Sequence, residues 1–152
     1  MTAHPVTARP VPCAGVVCLR GGQVLLIRRG KAPRKGEWSI PGGRMELGEG
    51  AAEAALRELK EETGVEAELL GLLDVVDHFH DGGQAVLIDY AARWTAGEPV
   101  AGDDAAEARF VGIDEAMILL AWGETRRVVA LAVERFGLTA PAADGLSNQT
   151  GV

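Results

Sequence analysis

Between Gly50 and Gly64 the chain reads AAEAALRELKEET, a run free of proline and glycine whose alanines, leucines and glutamates are spaced for one helix. Gly64 is placed to end it in a left-handed conformation. At 100° per residue, with Glu58 as origin, Glu62 falls at about +40° and Glu61 at about −60°, while Ala52, Ala55, Leu56, Leu59 and Thr63 gather between about +60° and +160°. The helix therefore has an apolar face that must lie on another layer and, beside it, a face of carboxylates. Glu53 and Lys60 fall in the remaining, solvent-facing sector. Two readings of the acidic face stay open at this level. It is a solvated surface, or it is a place where a hard divalent cation gathers oxygen ligands.

The flanking segments supply the layer that the helix needs. VPCAGVVCLR and QVLLIRRG are β-rich runs split by Gly21-Gly22, which predicts a hairpin. GEWSIPGGR breaks into a loop at Pro41-Gly42-Gly43. After the helix, VEAELLGLLDVVDHFH and QAVLIDYAARWT read as two long strands joined across His80-Asp81-Gly82-Gly83. GEPVAGDDAAEARFVGI is a loop leading into a short strand around Arg109 to Val111. Asp114 is placed to cap a helix over EAMILLA, and ETRRVVALAVERF, stopped by Gly137, is a second amphipathic helix. The pattern is a mixed sheet with helices on its faces, an α/β layered fold.

Length and composition set bounds on this reading. A chain of 152 residues, 47% of them hydrophobic, is one ordinary domain able to bury a core without disulfides. Residues 1–9 and 140–152 lack an apolar period and are expected to be flexible tails around a domain at 10–139. Cys13 and Cys18 have neither CxxC spacing nor a distant partner, so they read as core residues in a reducing compartment. With no signal-like or membrane-spanning apolar run, a cytoplasmic protein is expected. The net charge of −7 argues against general affinity for nucleic acid or an anionic membrane. An anionic ligand must then be met by a local basic patch or a metal.

The wider frame decides how the acidic face is read. GRMELGEGAAEAALRELKEETGV, Gly43 to Val65, carries glycine, five residues, glutamate, seven residues, then Arg-Glu-apolar-any-Glu-Glu-any-Gly-apolar. Gly43, Glu49, Arg57, Glu58, Leu59, Glu61, Glu62, Gly64 and Val65 fill every specified position. With each fixed position matched about one time in ten, a chance match is on the order of one in ten million. This stretch resembles the signature of the Nudix hydrolases. The resemblance implies an α/β/α sandwich with a mixed β-sheet. It also implies hydrolysis of a nucleoside diphosphate linked to another moiety with the help of Mg²⁺, or Mn²⁺ as a substitute. On that basis Glu58, Glu61 and Glu62 are the metal ligands and catalytic carboxylates, joined by a carbonyl of Gly42 or Gly43. Arg57 flanks the glutamates and can pair with Glu49 to hold the loop on the helix.

Further candidates lie outside this stretch. Asp103, Asp104 and Glu107 form an acidic loop, and in similar proteins this region often carries a further metal-linked or water-activating glutamate; Glu107 is the candidate, against an ordinary solvated loop. From Arg20 to Gly36 six basic residues occur without an acid, and Arg28 and Arg29 end a strand so that one faces the site. They are the substrate-binding candidates, with Arg28 preferred. Trp38 reads as core rather than a base-stacking platform. His78 and His80 share a strand face; with Asp77 and Asp81 a metal site is conceivable, but strand-end polar residues are the expectation. VLIDYAARWTAGEPVAGDDAAEARFVGIDEA is similar to the ADP-ribose pyrophosphatase-like subgroup, which implies ADP-ribose or a related nucleotide sugar as substrate. Sanitising hydrolysis of noncanonical (deoxy)nucleoside triphosphates is the rival, and a non-catalytic nucleotide-binding module a third reading. The partner is thus a small-molecule nucleotide, and a homodimer is compatible with the sequence.

Overall fold

The glycines at 21 and 22 reverse the chain between β1 (Val11–Arg20) and β2 (Gln23–Arg29), with Arg20 opposite Gln23. The computed structural model describes residues 9–32 and 34–137. The tails expected at 1–9 and 140–152 lie outside the described residues, Arg9 excepted. After β2 come β3 (Trp38–Ser39), β4 (Gly42–Arg44), α1 (Ala51–Thr63), β5 (Glu66–His80), β6 (Gly83–Ala96), β7 (Ala105–Gly112), α2 (Ile113–Leu119) and α3 (Gly123–Phe136). All the strands join one sheet, ordered β3-β2-β1-β6-β5, with β4 on β1 and β7 on β2. The β1–β6 pair is parallel and the other pairs are antiparallel, so the sheet is mixed.

Alternation along β1 and β2 builds two cores, one on each side of the sheet. Ala14, Val16, Cys18 and Leu25 pack with Ala54, Ala55 and Leu59 of α1. Val17, Leu19, Val24 and Leu26 pack on the opposite face with Leu120, Val128, Val129 and Ala132. The molecule is an α/β/α sandwich. Among the described residues no helix is long and apolar enough to cross a membrane.

Several local expectations differ from what is observed. Pro41-Gly42-Gly43 does not form an open loop; Gly42–Arg44 is a strand laid against Cys13–Gly15. The strand around Arg109 to Val111 begins earlier, at Ala105, because β2 offers an unpaired edge along its whole length, and it takes in Glu107. Gly112, not Asp114, caps α2, and Asp114 lies inside the first turn where its charge favours the helix N-terminus. Gly64 ends α1 with φ of 74°, as a left-handed stop, whereas Gly137 follows α3 with helical φ. On α1, Ala54 is buried in addition to Ala55, Leu59 and Thr63, while Ala52 and Leu56 are only partly covered. Burial of Ala54, which sits between the angles of Glu58 and Glu61, means that the carboxylate face is tucked against the protein.

Candidate active site

What α1 turns toward is β4 and the glycines that compose it. The N–H of Gly42 donates to Glu62 Oε1 at 2.9 Å. A methyl group on Gly43 would stand 2.5 Å from Glu58 Oε2, so the absence of a side chain there is what lets the carboxylate approach the strand. Burial is the main reason that Glu62 is pushed up to about 7, against the pull of the Gly42 N–H, with the charges of Glu58 and Asp103 adding to it and Arg29 opposing it. Burial likewise raises Glu58, opposed by Arg57 and reinforced by Glu61 and Asp103. Two carboxylates are thus held together, half-buried, with less positive charge around them than they need.

Arg57 organises the remainder. Its Nε donates to Glu49 Oε2 at 2.5 Å and its Nη2 to Glu49 Oε1 at 3.0 Å, a two-pronged pair. Nη2 also donates to the Arg44 carbonyl at 2.9 Å, and Nη1 reaches Glu58 and Glu61 at 3.1 Å each. Glu49 is lowered, chiefly by Arg57. One guanidinium therefore ties the loop before α1 to the end of β4 and to two of the helix glutamates. Glu61 is the most exposed of the three.

The acidic segment after β6 divides into two parts. Gly102 N–H donates to the Glu62 carbonyl at 2.9 Å, and this contact brings Asp103, at φ 47°, close enough for its charge to act on both Glu58 and Glu62. Glu107 lies elsewhere, in β7 opposite Arg28. Its two oxygens are taken by Arg28 Nε at 3.2 Å and Arg109 Nε at 3.1 Å. Arg28 and Arg109 both face the Trp38 ring, at 6.0 and 5.0 Å from its centroid, and Trp38 packs on the core beneath α3. Of the two strand-end arginines it is Arg29, not Arg28, that lines the cavity beside Gly42 and Gly43. Alternation along β2 sends Arg28 the other way.

That cavity, of about 260 Å³, runs from Gly42 and Gly43 across the sheet to Asp89, His78 and Trp122. The His78 ring lies against that of Trp122, tilted by 39° with centroids 4.7 Å apart, and His80 lies 5.5 Å from His78 on the same side of β5. His78 is lowered, mainly by burial. The alternation of the two histidines was legible in the sequence, but the contact of His78 with Trp122, 44 positions away, was not.

Among the described residues no three His, Cys, Asp or Glu side chains already converge as a cation cage. The donor set nevertheless suits a hard divalent ion: Glu58 and Glu62 are oxygen donors short of positive charge, and the Gly42–Gly43 backbone runs alongside.

The sequence profile of the NUDIX domain matches residues 9–132. The chain belongs to the Nudix family. An ADP-ribose pyrophosphatase of Methanocaldococcus jannaschii is 38% identical over 97 residues, covering 62% of this chain and 57% of that protein. An 8-oxo-(d)GTP phosphatase of Mycolicibacterium smegmatis is 33% identical over 134 residues, covering 88% of this chain and 36% of that one. The chain spans about half the length, or less, of these curated relatives. Among solved structures, a MutT NUDIX hydrolase from Burkholderia pseudomallei superposes with a TM-score of 0.71 at 31% identity, covering 81% of this chain and 98% of that one. Its agreement in fold includes the mixed sheet and the helix layers.

Proposed function

We propose that this Nudix chain is a divalent-cation-dependent hydrolase that cleaves within the diphosphate of a nucleotide linked to a further group. The observation that carries the reading is the pair Glu58 and Glu62, half-buried, raised by burial and held against a glycine strand. Glu58, Glu61, Glu62 and a carbonyl of Gly42 or Gly43 would hold Mg²⁺, for which Mn²⁺ can substitute. When bound, such an ion supplies charge neutralisation at the diphosphate oxygens. Arg29, at the cavity wall, meets phosphate charge, and Arg57 with Glu49 keeps the carboxylates in place. A carboxylate facing the glutamates is placed to take the proton from the attacking water. Asp103 fits that role better than Glu107, whose oxygens already accept from Arg28 and Arg109.

Two substrate readings stand, each with its own support. ADP-ribose, or a related nucleotide sugar, is supported by the likeness to the Methanocaldococcus enzyme. A noncanonical nucleoside triphosphate is supported by the Mycolicibacterium phosphatase, whose likeness extends over more of this chain. A panel of both classes with Mg²⁺, run in ¹⁸O water with mass analysis of the products, tests the reaction. Label on a phosphate of either product is the expected result. Label only in a free sugar, or no turnover of any nucleotide, would leave a glycosidase or a binding module in its place.

A further inference from the structure

Asp89 is the buried acid that this reaction leaves unused. It sits in β6 at only 6% exposure, opposite Gly15 of β1, and among the described residues no donor reaches its carboxylate. Gly15 explains how it fits: a methyl group there would lie 2.5 Å from Asp89 Oδ1. The cation whose charge acts on it, Arg127, is bound to Asp74 at 2.7 Å and to Glu124 at 2.8 Å. A buried carboxylate without partners is costly, and such a group in a folded protein calls for donors from a ligand.

The surroundings describe that ligand. Asp89 opens into the cavity that begins at Gly42 and Gly43, where Val76 and Leu87 give apolar walls and the tilted pair His78 and Trp122 gives an aromatic one. At about 260 Å³ the space is smaller than the roughly 300–1,000 Å³ of sites that enclose a whole ligand, so it takes one moiety. Apolar and aromatic walls suit a flat heterocycle, and the carboxylate requires N–H groups on its edge.

We propose that Asp89 is a specificity-determining residue of a base subsite, accepting two parallel hydrogen bonds from a purine whose edge carries adjacent N–H donors, as guanine does with N1–H and its 2-amino group. This rests on the reading of the chain as a nucleotide hydrolase and chooses, within it, guanine-type over adenine-type substrates. Adenine offers a donor beside an acceptor and would leave one carboxylate oxygen facing a ring nitrogen. Asp89→Asn replaces one acceptor by a donor and so matches xanthine, which has N1–H beside a carbonyl oxygen.

The test is calorimetric titration of wild type and Asp89→Asn with GMP, XMP and AMP, with chelator present so that no divalent ion or turnover is involved. Wild type is expected to bind GMP at least tenfold more tightly than AMP. Asp89→Asn is expected to weaken GMP by about 10- to 100-fold and to strengthen XMP, because the mismatch leaves a buried group unpaired. A merely structural aspartate would shift all three ligands alike, and that result, AMP preference in wild type, or no binding of any of the three would overturn the assignment. Guanine selectivity without hydrolysis in the ¹⁸O panel would leave the subsite standing while removing the catalytic reading.

Discussion

Gly43 Cα stands so close to the Glu58 carboxylate that a methyl group added there would lie 2.5 Å from Oε2 and 2.6 Å from Cδ. The contact is with the end of a long side chain, not with backbone. Gly43→Ala can thus be accommodated by swinging Glu58 aside. The expected result is a stability change below about 1 kcal/mol in urea unfolding together with a fall in kcat of about 100-fold or more, since a displaced ligand oxygen misplaces everything it holds. Loss of folding and activity in the same proportion would show that the glycine serves the sheet alone.

Arg57 holds Glu49 by two prongs, the Arg44 carbonyl by a third bond, and Glu58 and Glu61 by its remaining nitrogen. A lysine keeps the charge and loses the fork. Arg57→Lys should cost about 1–3 kcal/mol by urea unfolding, from charge-assisted bonds that one ammonium cannot replace. Added salt should not abolish the difference between the two proteins, because geometry and not net charge distinguishes them. An unchanged unfolding midpoint would mean that the loop is fixed by other contacts.

The frame of this site was legible because it is local. The helix expected from Gly50 to Thr63, its stop at Gly64 and the pairing of Arg57 with Glu49 all follow from spacing within about fifteen residues, the reach over which helix geometry fixes who meets whom. What sequence could not supply depended on strand pairing. Arg28 and Arg29 are adjacent in the chain but point to opposite faces, and which one lines the cavity beside Gly42 and Gly43 is set by β3 and β7 packing on either side of β2. The glycine and acids of GDDAAEARFV predict a loop at Glu107; its pairing with Arg28, 79 positions away, makes it a strand residue. Asp89 is one polar position in a strand with nothing local to mark it, and only the parallel register of β1 with β6 brings it beneath Gly15.

Asp103 and Glu107 are separable by experiment. The charge of Asp103 acts on Glu58 and Glu62, and its φ of 47° is one that asparagine tolerates. Asp103→Asn should lower kcat by at least about tenfold with KM little changed, the pattern of a group acting in the transition state. Glu107→Gln should leave kcat within about threefold and instead destabilise the protein by about 0.5–1 kcal/mol, because Arg28 and Arg109 lose a shared anion at a half-exposed position. The reverse pattern, with collapse of kcat only in Glu107→Gln, would return the water-activating role to the strand residue.

Asp89 gives a pH signature that requires no substrate. Burial, with a smaller contribution from Asp74, pushes its carboxyl from 3.8 up to about 6. A carboxyl raised on folding binds its proton more tightly in the native state, so stability is greatest when it is protonated and falls as pH rises from about 4 through 6. Glu58 and Glu62 are raised as well, so the slope of the wild type alone cannot be assigned to one residue. Asp89→Asn isolates it, since asparagine cannot ionise. The variant should match wild type near pH 4 and exceed it by a margin that grows through pH 6 and then levels, reaching on the order of 2–3 kcal/mol at pH 7.5. Chemical unfolding of both proteins across that range, in the absence of nucleotide, measures the margin directly. A margin that stays constant with pH would mean that Asp89 titrates as it does in the unfolded chain, and that its burial carries no charge penalty.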